Sequence, residues 1–110
     1  MNYRINYTPH FEKHLKKLCK KYASLPSDLA KLVDSLSVDP EIGIRLGFNL
    51  FKIRLKISSK GQGKSGGARV ITYVVHFDHE VFLVAIYDKS EVENLDKEKI
   101  KILLANAGLI

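Results

Sequence analysis

Between positions 52 and 69 the chain carries Lys52, Arg54, Lys56, Lys60, Lys64 and Arg69. Lys52, Arg54 and Lys56 alternate with Phe51, Ile53, Leu55 and Ile57, the period of a strand with one buried face, so the three cations project from the other face. Lys60 and Lys64 sit in the glycine- and serine-rich run SSKGQGKSGG, and Arg69 opens the next apolar run, RVITYVV. Antiparallel pairing of the two runs brings Arg69 beside the first three cations. Like charges gathered on one face repel each other and add nothing to a core, which points to an anionic ligand; a solvated sheet face is the bland alternative. Guanidinium groups on a rigid strand suit phosphate oxygens, and a lysine or tyrosine among them could move a proton.

Other chemistry has weaker support. His10 and His14 are four residues apart on a helical pattern, but with no third ligand in view they read as solvated histidines rather than a metal site. His76 and His79 bracket a turn. No paired cysteines, HExxH, phosphate-binding GxxxxGK[ST] loop or GxSxG occurs, and GQGKSGG opens a strand rather than a helix, against a nucleotide loop. Cys19, the single cysteine, falls among Leu15, Leu18 and Tyr22 on an apolar helical stripe and reads as packing.

These residues need an α+β scaffold. The short alternation Tyr3 to Tyr7 predicts a strand, and Thr8-Pro9 a helix start. Phe11, Leu15, Leu18, Cys19 and Tyr22 give one amphipathic helix, and Leu29, Leu32, Val33 and Leu36 a second that ends near Asp39-Pro40. Strands follow at Phe51 to Ile57, Arg69 to Phe77 and Val81 to Tyr87, then a helix capped by Asp96 from about Lys97 to Ala107. The expected order is β-α-α-β-β-β-α in one domain spanning 1–110. The early hairpin covers one face of an antiparallel sheet, and the other face is left available. With 110 residues, 45% hydrophobic and 27% charged, the chain suits a single packed core, and its net charge of +6 suits a polyanionic partner. No apolar run approaches the roughly 20 residues of a membrane helix. The start MNYRINYTPHFEKHL has no apolar signal segment, so a cytoplasmic protein with no membrane partner is expected.

The strand KIRLK, the run KSGGARVITYVV and the close VFLVAIYDKSEVENL resemble the RelE/ParE superfamily of toxins from type II toxin-antitoxin modules, in particular its HigB-like branch. The resemblance spans nearly the whole chain and is most specific from Lys64 to Leu95. It implies a translation inhibitor that cleaves messenger RNA on the ribosome without a metal or other cofactor, by activating a ribose 2′-hydroxyl against the adjacent phosphate. It also implies a cognate antitoxin, expected to carry a helix-turn-helix domain. By position, Lys52, Arg54 and Lys56 match the family's basic strand, Arg69 its strand-opening arginine, and Lys89 the basic residue after the last strand. The family's C-terminal tyrosine falls at Leu95, which leaves Tyr87 as the nearest substitute and Tyr73 as the second. For both, packing is the competing reading.

The expected catalytic set is therefore Lys52, Arg54, Arg69, Tyr87 and Lys89, with Lys56, Lys60, Lys64 and Tyr73 as RNA contacts and no metal ligand. Asp88 either orients Lys89 or caps the following turn. A ParE-like protein that inhibits gyrase by binding, with no nuclease site, is the alternative of a different class, because the fold is common to both.

Overall fold

Thr8 starts the first helix and ties it to the sheet. Its Oγ1 accepts from the Phe11 amide at 3.3 Å and donates to the Leu83 carbonyl at 2.8 Å. In the computed structural model, which describes residues 2–60, 66–92 and 94–110, strand β1 (Arg4–Tyr7) leads into α1 (Pro9–Lys21) and α2 (Leu25–Val38). Strands β2 (Ile44–Gly47), β3 (Leu50–Leu55), β4 (Ala68–Val75) and β5 (Glu80–Asp88) follow, and α3 (Lys97–Asn106) closes the chain. Asp96 caps α3, accepting from the Lys99 amide at 2.9 Å.

The strands form one five-stranded sheet in the order β1-β5-β4-β3-β2. Strands β3, β4 and β5 are the expected antiparallel meander. Two features extend it. Strand β1 pairs with β5 in parallel, which follows from the helical hairpin that carries the chain between the two edges. The β2 strand lies in the segment read as a plain connection; four residues long and largely exposed, it has no apolar alternation to reveal it. Its approach to β3 depends on Gly43, whose φ is +103° and whose added Cβ would lie 2.4 Å from the Lys52 carbonyl oxygen.

Helices α1 and α2 bury Phe11, Leu18, Leu25, Leu29 and Leu36 against Ile53, Leu55, Val70, Leu83 and Ile86 on one sheet face. The opposite face is not left open as expected. Ile100 and Leu104 of α3 pack on Ile71, Val84, Ala85 and Tyr87. The cause is in the strands themselves: β4 and β5 are apolar on both faces, and such strands need cover on both. Complete burial of a side chain such as Ile100 or Leu104 contributes about 1.5 to 3 kcal/mol.

Candidate nucleic-acid interface

Alternation along β3 sends Phe51, Ile53 and Leu55 into the core and turns Lys52 and Arg54 the other way, with Arg54 exposed. The β3–β4 and β4–β5 ladders then set Arg54 opposite Arg69, and Arg69 opposite Tyr87. One row across three strands thus carries two guanidinium groups and a phenol on a single face. Lys52 is next to Arg54 on that face, with its Nζ 3.2 Å from Asn94 Oδ1 in the segment leading to α3. Lys56 is exposed just beyond the end of β3, and Lys89 is half-buried beside the start of β4, its amide donating to the Gly67 carbonyl at 3.0 Å.

Depth divides the row. Arg69 is only 4% exposed and donates from Nη1 to the Ala68 carbonyl at 3.2 Å; Tyr87 is 8% exposed. The reading of Arg69 as a surface cation is corrected here: it stands on the central strand β4 between Arg54 and Tyr87 of the paired strands, and its side chain is buried there rather than solvated. Burial pushes the Tyr87 phenol above its ordinary value, with the Leu95 backbone and the Arg69 charge opposing the rise. The Leu95 backbone is near enough to favour the phenolate yet outside hydrogen-bond geometry, so Tyr87 Oη has no hydrogen-bond partner among the described residues. At neutral pH this phenol holds its proton, which suits it to donate one.

Pairing of β2 with β3 stops at Lys52, so among the described residues no strand lines Ile53 to Leu55 on that side. A cleft of about 420 Å³ runs beside this edge, bordered by Lys31, Arg54, Lys56 and Ser58. Three cations, Lys31, Arg54 and Lys56, line it together with Asp28, and cations along a groove attract a phosphate backbone.

The remaining expected residues fall elsewhere. Tyr73 shares the face of Arg69 but stands opposite Leu50 and Phe82 and packs into the cluster under α3, four residues along the strand from Arg69. Lys60 closes the short 3-10 turn Ser58–Lys60; its side chain and all of Lys64 lie outside the described residues. The glycine pair of KSGGAR has a steric role at Gly67, where an added Cβ would sit 2.3 Å from the Leu55 carbonyl oxygen. His10 and His14 stack at 4.3 Å between ring centroids, and His14 Nδ1 lies 3.0 Å from the His10 carbonyl. Burial, then His14, Lys13 and Lys99, hold the His10 imidazole below its ordinary value. Among the described residues no cluster of three or more metal-ligating side chains occurs.

Two carboxylates support the site: Asp88, for which capping of the following turn is one of the two expected roles, and Asp28, which escaped the sequence reading. Asp88, 2% exposed, accepts from Tyr22 Oη at 2.5 Å and from the Ser90 amide and hydroxyl at 2.9 and 2.7 Å. It caps the turn after β5 and clamps that turn to the end of α1. Asp28 accepts from the Ser58 amide and hydroxyl at 2.9 and 2.7 Å and from Ser24 Oγ at 2.8 Å, so it anchors the root of the lysine-bearing loop on α2. No periodicity marks contacts between residues this far apart in the chain.

The family model described as the RelE toxin of the RelE / RelB toxin-antitoxin system matches residues 3–110. The chain belongs to the RelE toxin family. Its fold is similar to that of the free E. coli toxin RelE, solved as an arginine-to-alanine double mutant, with a TM-score of 0.64 at 19% identity over 98% of this chain and 96% of that one. It is also similar to a chain of the intact E. coli RelBE toxin-antitoxin complex, with a TM-score of 0.61 at 20% identity over 78% of this chain and 95% of that one. The same mutant RelE bound to an antitoxin RelBc peptide gives a TM-score of 0.62 at 22% identity over 88% and 98%. Within this RelE-family toxin, the Arg54–Arg69–Tyr87 row is built on the rigid centre of the sheet, where side chains are positioned more tightly than on a loop.

Proposed function

We propose that this RelE-family toxin, of the HigB-like branch, is a ribosome-dependent and metal-independent messenger RNA endoribonuclease that inhibits translation in the cytoplasm. The observation that carries this reading is the row Arg54–Arg69–Tyr87 across three paired strands, flanked by Lys52, Lys56 and Lys89. Arg54 and Lys56 take the message backbone along the open edge of β3. Arg69 stands behind them, aimed at the phosphate whose charge grows as the ribose 2′-oxygen attacks phosphorus. Lys52 or Lys89, in its neutral amine form, receives the 2′-hydroxyl proton, and Tyr87 gives its proton to the departing 5′-oxygen. Its hydroxyl beside the backbone of Leu95 puts a phenol near the position where the family resemblance calls for one. Lys60, Lys64 and Tyr73 add contacts along the RNA. Arg69 and Tyr87 are 4% and 8% exposed, and in this reading the ribosome brings the message to them and holds the reacting atoms in line.

The partner that silences the toxin is a small antitoxin, expected to bear a helix-turn-helix domain and to present acidic groups to the Lys52, Arg54 and Lys56 face. A RelE relative crystallised with its antitoxin supports such pairing. Brief expression of the chain, with message ends mapped and DNA supercoiling monitored, tests the function. Cuts within translated reading frames are expected. Loss of supercoiling with intact messages would assign the toxin to gyrase binding instead.

A further inference from the structure

At the opposite end of β4 from Arg69, roughly 20 Å away along the strand at about 3.3 Å per residue, three side chains from distant parts of the chain meet in line. Tyr3 Oη lies 2.6 Å from His76 Nδ1, and His76 Nε2 lies 2.7 Å from Glu41 Oε2. Arg45 Nη2 holds the other carboxylate oxygen at 3.1 Å. A carboxylate at Nε2 keeps the proton on that nitrogen, so neutral His76 turns the Nδ1 lone pair toward the phenol. Hydroxyl, imidazole and carboxylate stand in the order that activates a nucleophile by general base.

Each of the first and last members has further contacts. The Tyr3 ring packs with Phe51, Val74 and Val81, and its amide donates to the Ser37 carbonyl at 2.7 Å. Glu41 is steadied by its own amide, which donates to Asp39 Oδ1 at 3.3 Å, and the Arg45 guanidinium lies 4.8 Å from the Phe51 ring centre. The hydrogen bond from His76, and after it the charge of Arg45, hold the Glu41 carboxyl below its ordinary value against the opposing effect of burial. The carboxylate is therefore ionised and able to stabilise an imidazolium.

We infer that Tyr3 is a covalent acceptor site, acylated by neutral activated esters with His76 as the base. The phenol oxygen attacks the carbonyl carbon and its proton passes to His76 Nδ1. The tetrahedral adduct collapses with loss of the alkoxide or aryloxide, which takes that proton, leaving an O-acyl tyrosine and an alcohol or phenol. The surroundings select an uncharged apolar acyl group over a phosphoryl group. Nearby Arg side chains are already paired, Arg45 with Glu41 at 3.1 Å and Arg4 with Glu80 at 2.9 Å, which disfavours a phosphate. Phe77, next to His76, is 94% exposed and offers apolar surface to an acyl chain. The proposal is independent of the nuclease reading, since it uses none of the same residues.

The test is acylation of the whole toxin at neutral pH by para-nitrophenyl acetate, with each modified side chain mapped and timed by peptide mass spectrometry. Tyr3 should be the fastest tyrosine to react, ahead of Tyr7, which is 40% exposed and whose ring packs on Phe11. His76→Phe should slow Tyr3 by about a hundredfold, the low end for a general base. Glu41→Gln, which keeps the shape and removes the charge, should slow it by a smaller factor. Thermal melting of both variants establishes that they are folded. Equal rates for Tyr3 and Tyr7, an unchanged Tyr3 rate in folded His76→Phe, or label that rests on His76 and never reaches Tyr3 would each overturn the assignment.

Discussion

Tyr22 Oη donates to Asp88 Oδ2 at 2.5 Å, tying the residue that ends α1 to the last residue of β5. Asp88 follows Tyr87 and precedes Lys89, so this one bond sets where two site residues leave the sheet. Lys21 adds a cation 3.7 Å from the same oxygen. Removing the donor leaves a buried carboxylate short of a partner, which costs more than the bond itself contributes. Tyr22→Phe should lower stability by about 1 to 3 kcal/mol, and Asp88→Asn by a similar amount. In a double-mutant cycle followed by urea unfolding the two losses should be clearly less than additive; additive losses would show that the bond is not formed in solution.

Arg69→Ala should abolish message cleavage on programmed ribosomes, a loss of about a hundred- to thousandfold for a donor aimed at developing charge. Since Arg69 is 4% exposed, the substitution also removes packing, and a stability loss of about 1 to 3 kcal/mol is expected with it. Arg69→Lys separates the effects: stability should largely return while cleavage stays low, because an ammonium cannot reproduce the fork of the guanidinium. Wild-type cleavage by folded Arg69→Lys would remove Arg69 from the phosphate site.

Tyr87→Phe should be nearly neutral or slightly stabilising, because the hydroxyl is buried with no hydrogen-bond partner among the described residues. If Tyr87 donates the proton to the leaving oxygen, the same variant cuts messages about a hundredfold more slowly or worse. Single-turnover cleavage alongside thermal melting reads both; unchanged cleavage would reduce Tyr87 to a packing residue.

Gly67→Ala should destabilise the toxin and misplace Arg69, since the new methyl would stand 2.3 Å from the Leu55 carbonyl oxygen and force β3 and β4 apart where Arg69 begins its strand. A melting temperature equal to wild type would show that the strands yield at no cost.

Acid should weaken the anchor of the lysine-bearing loop. Burial raises the Asp28 carboxyl, but hydrogen bonds from Ser58 and Ser24 and the charge of Lys31 outweigh it, and the folded-state value lies below the ordinary 3.8. A carboxyl depressed on folding adds stability that is fully present above its unfolded value and is lost as pH falls through the folded one. Wild type should therefore be more stable than Asp28→Asn at neutral pH, and the difference should shrink once pH drops below about 3.8. A difference in melting temperature that stays constant from neutral pH to pH about 3 would contradict the depressed value.

Local order alone made much of this protein legible. Alternation at Phe51 to Ile57 gave β3 its cationic face, the Thr8-Pro9 and Asp96 caps marked two helix starts, and the apolar run from Arg69 made the meander with Arg69 beside Arg54 a direct expectation, because period and capping are properties of neighbouring residues. Tertiary structure decided the rest. That Arg69 is buried depends on its place on the central strand between Arg54 and Tyr87, and that α3 docks on Ile71 and Tyr87 is a matter of which apolar face finds cover. That Tyr22 meets Asp88, and that Tyr3, Glu41 and His76 fall into line, depends on the order of strands in the sheet and on the return of β1 alongside β5. Hydrogen bonds between residues tens of positions apart leave no periodic trace in a sequence, since only the folded chain brings their partners within reach.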